Sequence, residues 1–192
     1  MKTMIGVLCI GLLATITLVN EAPAQEARKT FASQGVWELG GTMSFSTTWD
    51  VNGGVASTNP LYSLDLNPAF GYFVIDGLEV GANPLGLSYV SQGSSSYTLL
   101  KLLGSVAYNF KTPARVYPYL EGLAGYSLLL VDGDDPGGFT WAGRGGVKVA
   151  IGSSALLNVG AEYLQATLNL PGQSSRNGYN RLAVTAGFAI WL

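Results

Sequence analysis

Apolar and polar residues alternate along eight long stretches of this chain, and the last stretch runs to the final residue. In Tyr179 to Leu192, the residues Leu182, Val184, Ala186, Phe188, Ile190 and Leu192 share one face. Arg181, Ala183, Thr185, Gly187, Ala189 and Trp191 share the other. A strand turns successive side chains to opposite faces, so this pattern predicts a strand that is apolar on one side. The same period predicts strands over residues 36–47, 61–74, 78–91, 97–110, 117–131, 139–151 and 155–168. Alternation blurs after Pro84, which predicts a bulge in the third strand.

Turn chemistry separates these stretches. Asn52-Gly53-Gly54, Asp76-Gly77 and Gly152-Ser153-Ser154 are turn signals. The connections alternate between longer ones (48–60, 92–96, 132–138, 169–178) and shorter ones (75–77, 111–116, 152–154). Outer-membrane barrels have short periplasmic turns and longer external loops. An even strand count then places both chain ends on the periplasmic side. Strands of about a dozen residues suit the roughly 9–11 that a tilted strand needs to cross a bilayer. Strands of soluble sandwiches are usually shorter, about 5–6 residues. The expected fold class is all-β: an eight-stranded antiparallel up-and-down transmembrane β-barrel over residues 36–192.

Ahead of the strands, Lys2 is followed by an uncharged, mostly apolar run from Met4 to Val19 and then by Ala22-Pro23-Ala24. This is the pattern of a secretory signal peptide over residues 1–24, cleaved after Ala24. The run is shorter than the roughly 20 residues of a spanning helix. Residues 25–35, QEARKTFASQG, read as a flexible lead-in. The one cysteine, Cys9, lies inside the signal, preceded by Leu8 where a lipoprotein would carry a small residue. The exported chain therefore has no disulfide or thiol chemistry.

Charged residues make up 11% of the chain, against roughly 25% in soluble domains. A chain so poor in charge, and without a membrane helix after its signal, fits a closed barrel that leaves no backbone group unpaired in lipid. Removal of Lys2 and Glu21 leaves 9 basic and 11 acidic residues, a net charge of −2. That is no footprint for nucleic acid.

Nine charged residues fall within the expected strands: Glu38, Asp65, Glu79, Lys101, Glu121, Arg144, Lys148, Glu162 and Arg181. All nine lie on the less apolar face. If the apolar face meets lipid, they point inward. An eight-stranded barrel is just wide enough for side chains to fill it, so the charges must pair or be wet. Two readings follow: a structural polar core, or a narrow water or ion path. Aromatics on the apolar face gather near strand ends, among them Trp37, Phe45, Tyr62, Tyr72, Tyr108, Phe110 and Trp141. Girdles of this kind mark the two interfaces of a membrane barrel.

Candidate chemistry is sparse. The sequence has no histidine, which removes the usual Ser-His constellations and the commonest metal ligand. Asp132-Gly133-Asp134-Asp135 offers oxygen ligands but lacks the rest of a calcium loop, and it reads as a solvated turn. Gly143-Arg144-Gly145-Gly146 sits within a strand with no helix after it, so it is no phosphate loop. No cofactor, metal or catalytic residue is expected.

The signal peptide, the eight strands and the terminal YNRLAVTAGFAIWL together resemble the small eight-stranded outer-membrane barrels, the type of the outer-membrane protein A barrel domain and its adhesin-like relatives. The resemblance spans Val36 to Leu192. That family usually ends in an aromatic residue read by the assembly machinery, whereas this chain ends Trp191-Leu192. The resemblance implies a monomer in the bacterial outer membrane, in contact with lipid, lipopolysaccharide and, during biogenesis, the assembly machinery. It implies a structural or surface-interaction role, with loops 48–60 and 169–178 facing any extracellular partner. Outer-membrane barrel enzymes use a histidine as base or proton shuttle, so the expectation is a non-enzyme. The alternatives are a narrow diffusion pore, or an exported soluble lipocalin-like barrel with a polar exterior and an apolar lumen.

Overall fold

The computed structural model describes residues 30–48, 51–52, 55–56, 61–92, 95–130, 136–168 and 177–192. The signal over 1–24, the start of the lead-in, the acidic turn at 132–135 and most of loop 169–178 lie outside the described residues.

The described residues form ten strands: β1 (Trp37–Thr48), β2 (Val51–Asn52), β3 (Val55–Ala56), β4 (Leu61–Ile75), β5 (Leu78–Gln92), β6 (Ser95–Asn109), β7 (Val116–Leu130), β8 (Gly137–Ala150), β9 (Ala155–Leu168) and β10 (Asn177–Trp191). Eight of them close a barrel in the order β1-β10-β9-β8-β7-β6-β5-β4. Every neighbouring pair is antiparallel, including the β1–β10 seam. The eight expected strands are these eight, with ends shifted by at most two residues. The sequence pattern did not reveal the small β2–β3 hairpin within loop 48–60, where Val51 pairs with Ala56 and Asn52 with Val55.

The last residue helps close the seam. Leu192 donates its amide to the Trp37 carbonyl at 3.0 Å and accepts the Trp37 amide at 3.1 Å. At the Asp76-Gly77 turn, Gly77 has φ +81°, a left-handed conformation that glycine adopts without cost. The bulge expected at Pro84 is real: the register of β5 against β6 shifts between Asn83 and Gly86. Proline cannot donate to a ladder, and β5 carries one extra residue there.

Burial is inverted relative to a soluble protein. Leu182 and Val184 are 72% and 69% exposed, whereas Lys101 and Asp65 are 1% and 0% exposed. Such an outer face is that of a barrel set in lipid, with polar residues inward. The soluble lipocalin-like alternative required a polar exterior, and this exterior overturns it. Aromatic pairs mark both ends of the apolar belt. Trp37–Tyr72 and Tyr108–Phe110 lie near the short turns, with Phe45–Tyr62 and Trp141–Tyr163 near the loops.

The interior is not wholly polar. Leu103, Leu123, Ala142, Leu164 and Ala166 form an apolar cluster against the inner wall. A second cluster fills the turn-side mouth, and part of it comes from the expected lead-in. Residues 30–35 are a correction to that expectation, because they are packed. Phe31, Ala32 and Val36 are buried with Phe73, Leu156 and Ala189. The Phe31 ring meets Phe73 edge-on at 5.2 Å and Tyr117 at 4.9 Å. Backbone bonds anchor this plug: Gly35 donates to the Phe73 carbonyl and Gly77 to the Ala32 carbonyl.

A polar latch at the rim completes the anchorage. The Asp76 carboxylate accepts from the Gln34 amide and from Lys111 Nζ, both at 2.8 Å. Lys111 Nζ also donates to Ser33 Oγ at 3.3 Å. The Lys111 ammonium, followed by the Gln34 amide, holds the Asp76 pKa below its ordinary value. A carboxylate lowered in this way contributes its stability above its unfolded pKa and loses it as pH falls through the folded value.

Two outcomes test this description. Val184→Arg is expected to cost about 2–4 kcal/mol in lipid vesicles, measured by urea unfolding; a water-facing site would change by only about 0.5 kcal/mol. Acidification below the usual carboxylate range is expected to loosen the plug. Fluorescence of Trp191, which packs on Phe31, should report that step in the wild type, and Asp76→Asn should already be loosened at neutral pH.

Candidate functional site: an interior charge network

All nine strand charges named from the sequence point into the barrel, and register explains how they meet. Arg144 lies directly opposite Glu121 on β7 and Glu162 on β9. It donates Nη1 to Glu121 at 2.9 Å and Nη2 to Glu162 at 2.6 Å. Glu162 also receives Arg181 Nη2 at 2.8 Å. Arg181 reaches on to Asp65 with Nη1, across the intervening strand β1. Lys101 Nζ meets Asp65 from the other side at 3.0 Å.

Asp65 is the hub of this loop-side cluster. Ser44 and Ser88 are its cross-strand partners, and both hydroxyls donate to its carboxylate. Gly86 makes space for two neighbours: a Cβ there would lie 2.9 Å from Asn67 Oδ1 and 3.1 Å from Lys101 Cβ and Cε. The cluster holds Asp65, Glu121 and Glu162 against Lys101, Arg144 and Arg181, so its formal charge is zero.

A second cluster lies nearer the short turns. Lys148 Nζ donates to Glu38 at 2.6 Å and to Glu79 at 3.3 Å. Asn109 Nδ2 donates to Glu79 at 3.0 Å. Gly71 leaves the space that the Glu79 carboxylate occupies, since a Cβ there would collide with it. Lys148 Nζ also sits 5.3 Å from the ring centres of both Phe31 and Tyr119, in the range of cation–π attraction. Two carboxylates face one ammonium, so this cluster has a formal excess of one negative charge.

Between the clusters lies a cavity of about 30 Å³, lined by Glu38, Glu79, Glu121, Arg144 and Lys148 together with Thr42, Ser105, Tyr119 and Asn158. That is room for roughly two waters. Thr42 Oγ1 and Asn158 Oδ1 meet no protein partner, which suits a hydrated space. Among the described residues no group of three or more His, Cys, Asp or Glu side chains is arranged to hold a metal.

Sequence reading found every charged member but not Ser44, Ser88, Asn109, Tyr119 or Phe31. Ser44 and Ser88 have inward parity, and only the strand register shows that both flank Asp65. Phe31 lies outside any strand, and no alternation marks it.

This geometry defines a class: a small, closed, antiparallel barrel with an apolar outside and a paired ionic inside. Its fold is similar to that of solved outer-membrane barrels. Neisserial surface protein A matches with a TM-score of 0.56 at 17% identity, over 82% of this chain and 97% of that one. The outer membrane protein OprG from Pseudomonas aeruginosa matches with a TM-score of 0.51 at 16% identity, over 83% and 97%. No family model matches the sequence, and no curated protein matches it.

Removing one partner of a buried ion pair strands the other. Lys148→Met is therefore expected to cost about 3–5 kcal/mol in urea unfolding from vesicles. Adding Glu38→Gln and Glu79→Gln to that variant should restore most of the loss. No recovery in the triple variant would mean that the lysine matters for its packing alone.

Proposed function

We propose that this chain is a bacterial outer-membrane protein whose barrel is a closed scaffold for its external loops, with a structural or surface-interaction role. The observation that carries this reading is the closed interior. Ion pairs bridge the lumen through Asp65, Arg181, Glu162 and Arg144, and the Phe31 cluster fills the turn-side mouth. A lumen closed at two levels serves transport poorly, which leaves the loops as the working surface. Loops 48–60 and 169–178 are the longest, and they face outward if the short turns are periplasmic. That one fold neighbour is itself described as a surface protein agrees with this reading.

On this proposal the protein is exported with cleavage after Ala24, assembles as a monomer among outer-membrane lipid and lipopolysaccharide, and is not an enzyme. The lack of any histidine supports the last point, since a base or proton shuttle of the usual kind is missing.

Reconstitution in planar bilayers tests the central point. The folded protein, verified by heat-modifiable gel mobility, is expected to give no conductance steps. Regular steps would favour the narrow diffusion pore. Protease applied to intact cells should cut within 49–60 or 169–176. Cuts only at 76–77 or 152–154 would invert the topology.

A further inference from the structure

Residues 30–36 close the turn-side mouth, yet no barrel ladder runs through them, because the pairing of β1 begins at Trp37 with β4 and at Glu38 with β10. The segment can therefore leave its seat with every barrel strand still paired. Its polar attachment is local: two backbone bonds to Phe73, one to Gly77, the Gln34 side-chain amide donating to the Val74 carbonyl at 3.1 Å, and the latch through Asp76 and Lys111. It also carries strain. Ala32 has φ +62°, a left-handed conformation that costs an L-residue free energy. Alanine offers no side-chain hydrogen bond to repay that cost, and the residue is fully buried. Strain of this kind persists only where the surroundings enforce it, and it clusters at switch regions.

What lies behind the segment matters as much. Phe31 covers Lys148, and Lys148 with Glu38 and Glu79 lines the interior cavity. With Phe31 seated, one aromatic face takes the place of water over the ammonium. With Phe31 displaced, water replaces the ring and reaches two carboxylates balanced by a single cation. The excess negative charge there favours positive solutes over negative ones.

We propose that residues 30–36 are a detachable stopper that controls entry of water and small cations from the turn side into the cavity bounded by Glu38, Glu79 and Lys148. The stopper acts on access to this chamber; the loop-side ion pairs still bar the way through the barrel. The inference is independent of what the loops bind.

A single introduced thiol tests it. Ser105 lines the cavity, and Cys9 is the chain's one cysteine, so Ser105→Cys in a Cys9→Ser background gives a unique probe. The reagents are a matched pair of small water-soluble methanethiosulfonates, one cationic and one anionic, applied to the folded protein in detergent. With the native segment, labelling should be far slower than in urea-unfolded chain. Phe31→Ala should accelerate it more than roughly tenfold, since the ring is the seated group. In that background the cationic reagent should outpace the anionic one. Ala32→Gly should slow labelling about fivefold, because relief of left-handed strain outweighs the added freedom of the unseated glycine. Heat-modifiable mobility verifies that each variant is folded. If Phe31→Ala does not fold, the comparison of Ala32→Gly with the native segment decides. Equal labelling rates with all segments, or faster entry of the anionic reagent, would overturn the proposal.

Discussion

A barrel of eight strands cannot hydrate nine charged side chains, and a membrane will not accept them on its outer face. They must therefore neutralise one another across a lumen only as wide as the side chains themselves. Much else in the structure answers to this constraint. Asp65, wholly buried, takes Lys101 and Arg181 and still needs Ser44 and Ser88 to occupy its remaining lone pairs. Gly71 and Gly86 lack side chains where the Glu79 carboxylate and the Lys101 stem must lie. The loop-side cluster balances and the turn-side cluster does not. The imbalance falls where a cavity adjoins and where the Phe31 plug is seated.

The outer face obeys the complementary rule. Backbone groups in lipid have no water to bond, so the sheet must close on itself. Closure here depends on the first and last barrel strands meeting, and Leu192 contributes its own backbone to that seam. Next to it, the inward Trp191 ring packs on Phe31. The terminal residues thus join strand closure to closure of the mouth.

Period-two alternation made the strands and the facing of all nine charges legible, because the two sides of a membrane barrel differ so sharply in polarity. Its signal is weakest where both sides are apolar. In Leu99-Leu100 and Leu102-Leu103 only the parity of Lys101 tells the faces apart: Leu102 points outward as expected, while the inward leucines Leu99 and Leu103 were not singled out. Charge partners across the lumen were equally hidden. Arg144 with Glu121 could be inferred once register is known, but Lys148 with Glu38 spans the barrel. The plug was missed because residues 30–35 lie outside any strand and carry no periodic signal. Its residues also look like an ordinary polar lead-in. Pro84 was readable as a bulge because proline's missing donor acts locally.

The most direct measurement of which face meets lipid uses the leucines themselves. In lipid nanodiscs carrying a spin label on the acyl chains, methyl NMR signals of Leu102, Leu120, Leu157 and Leu182 should be strongly broadened. Those of Leu99, Leu103, Leu123 and Leu164 should be spared, although they share β6, β7 and β9 with Leu102, Leu120 and Leu157. Equal broadening of the two sets, or broadening of the second set alone, would contradict an apolar exterior wrapped around a paired ionic interior.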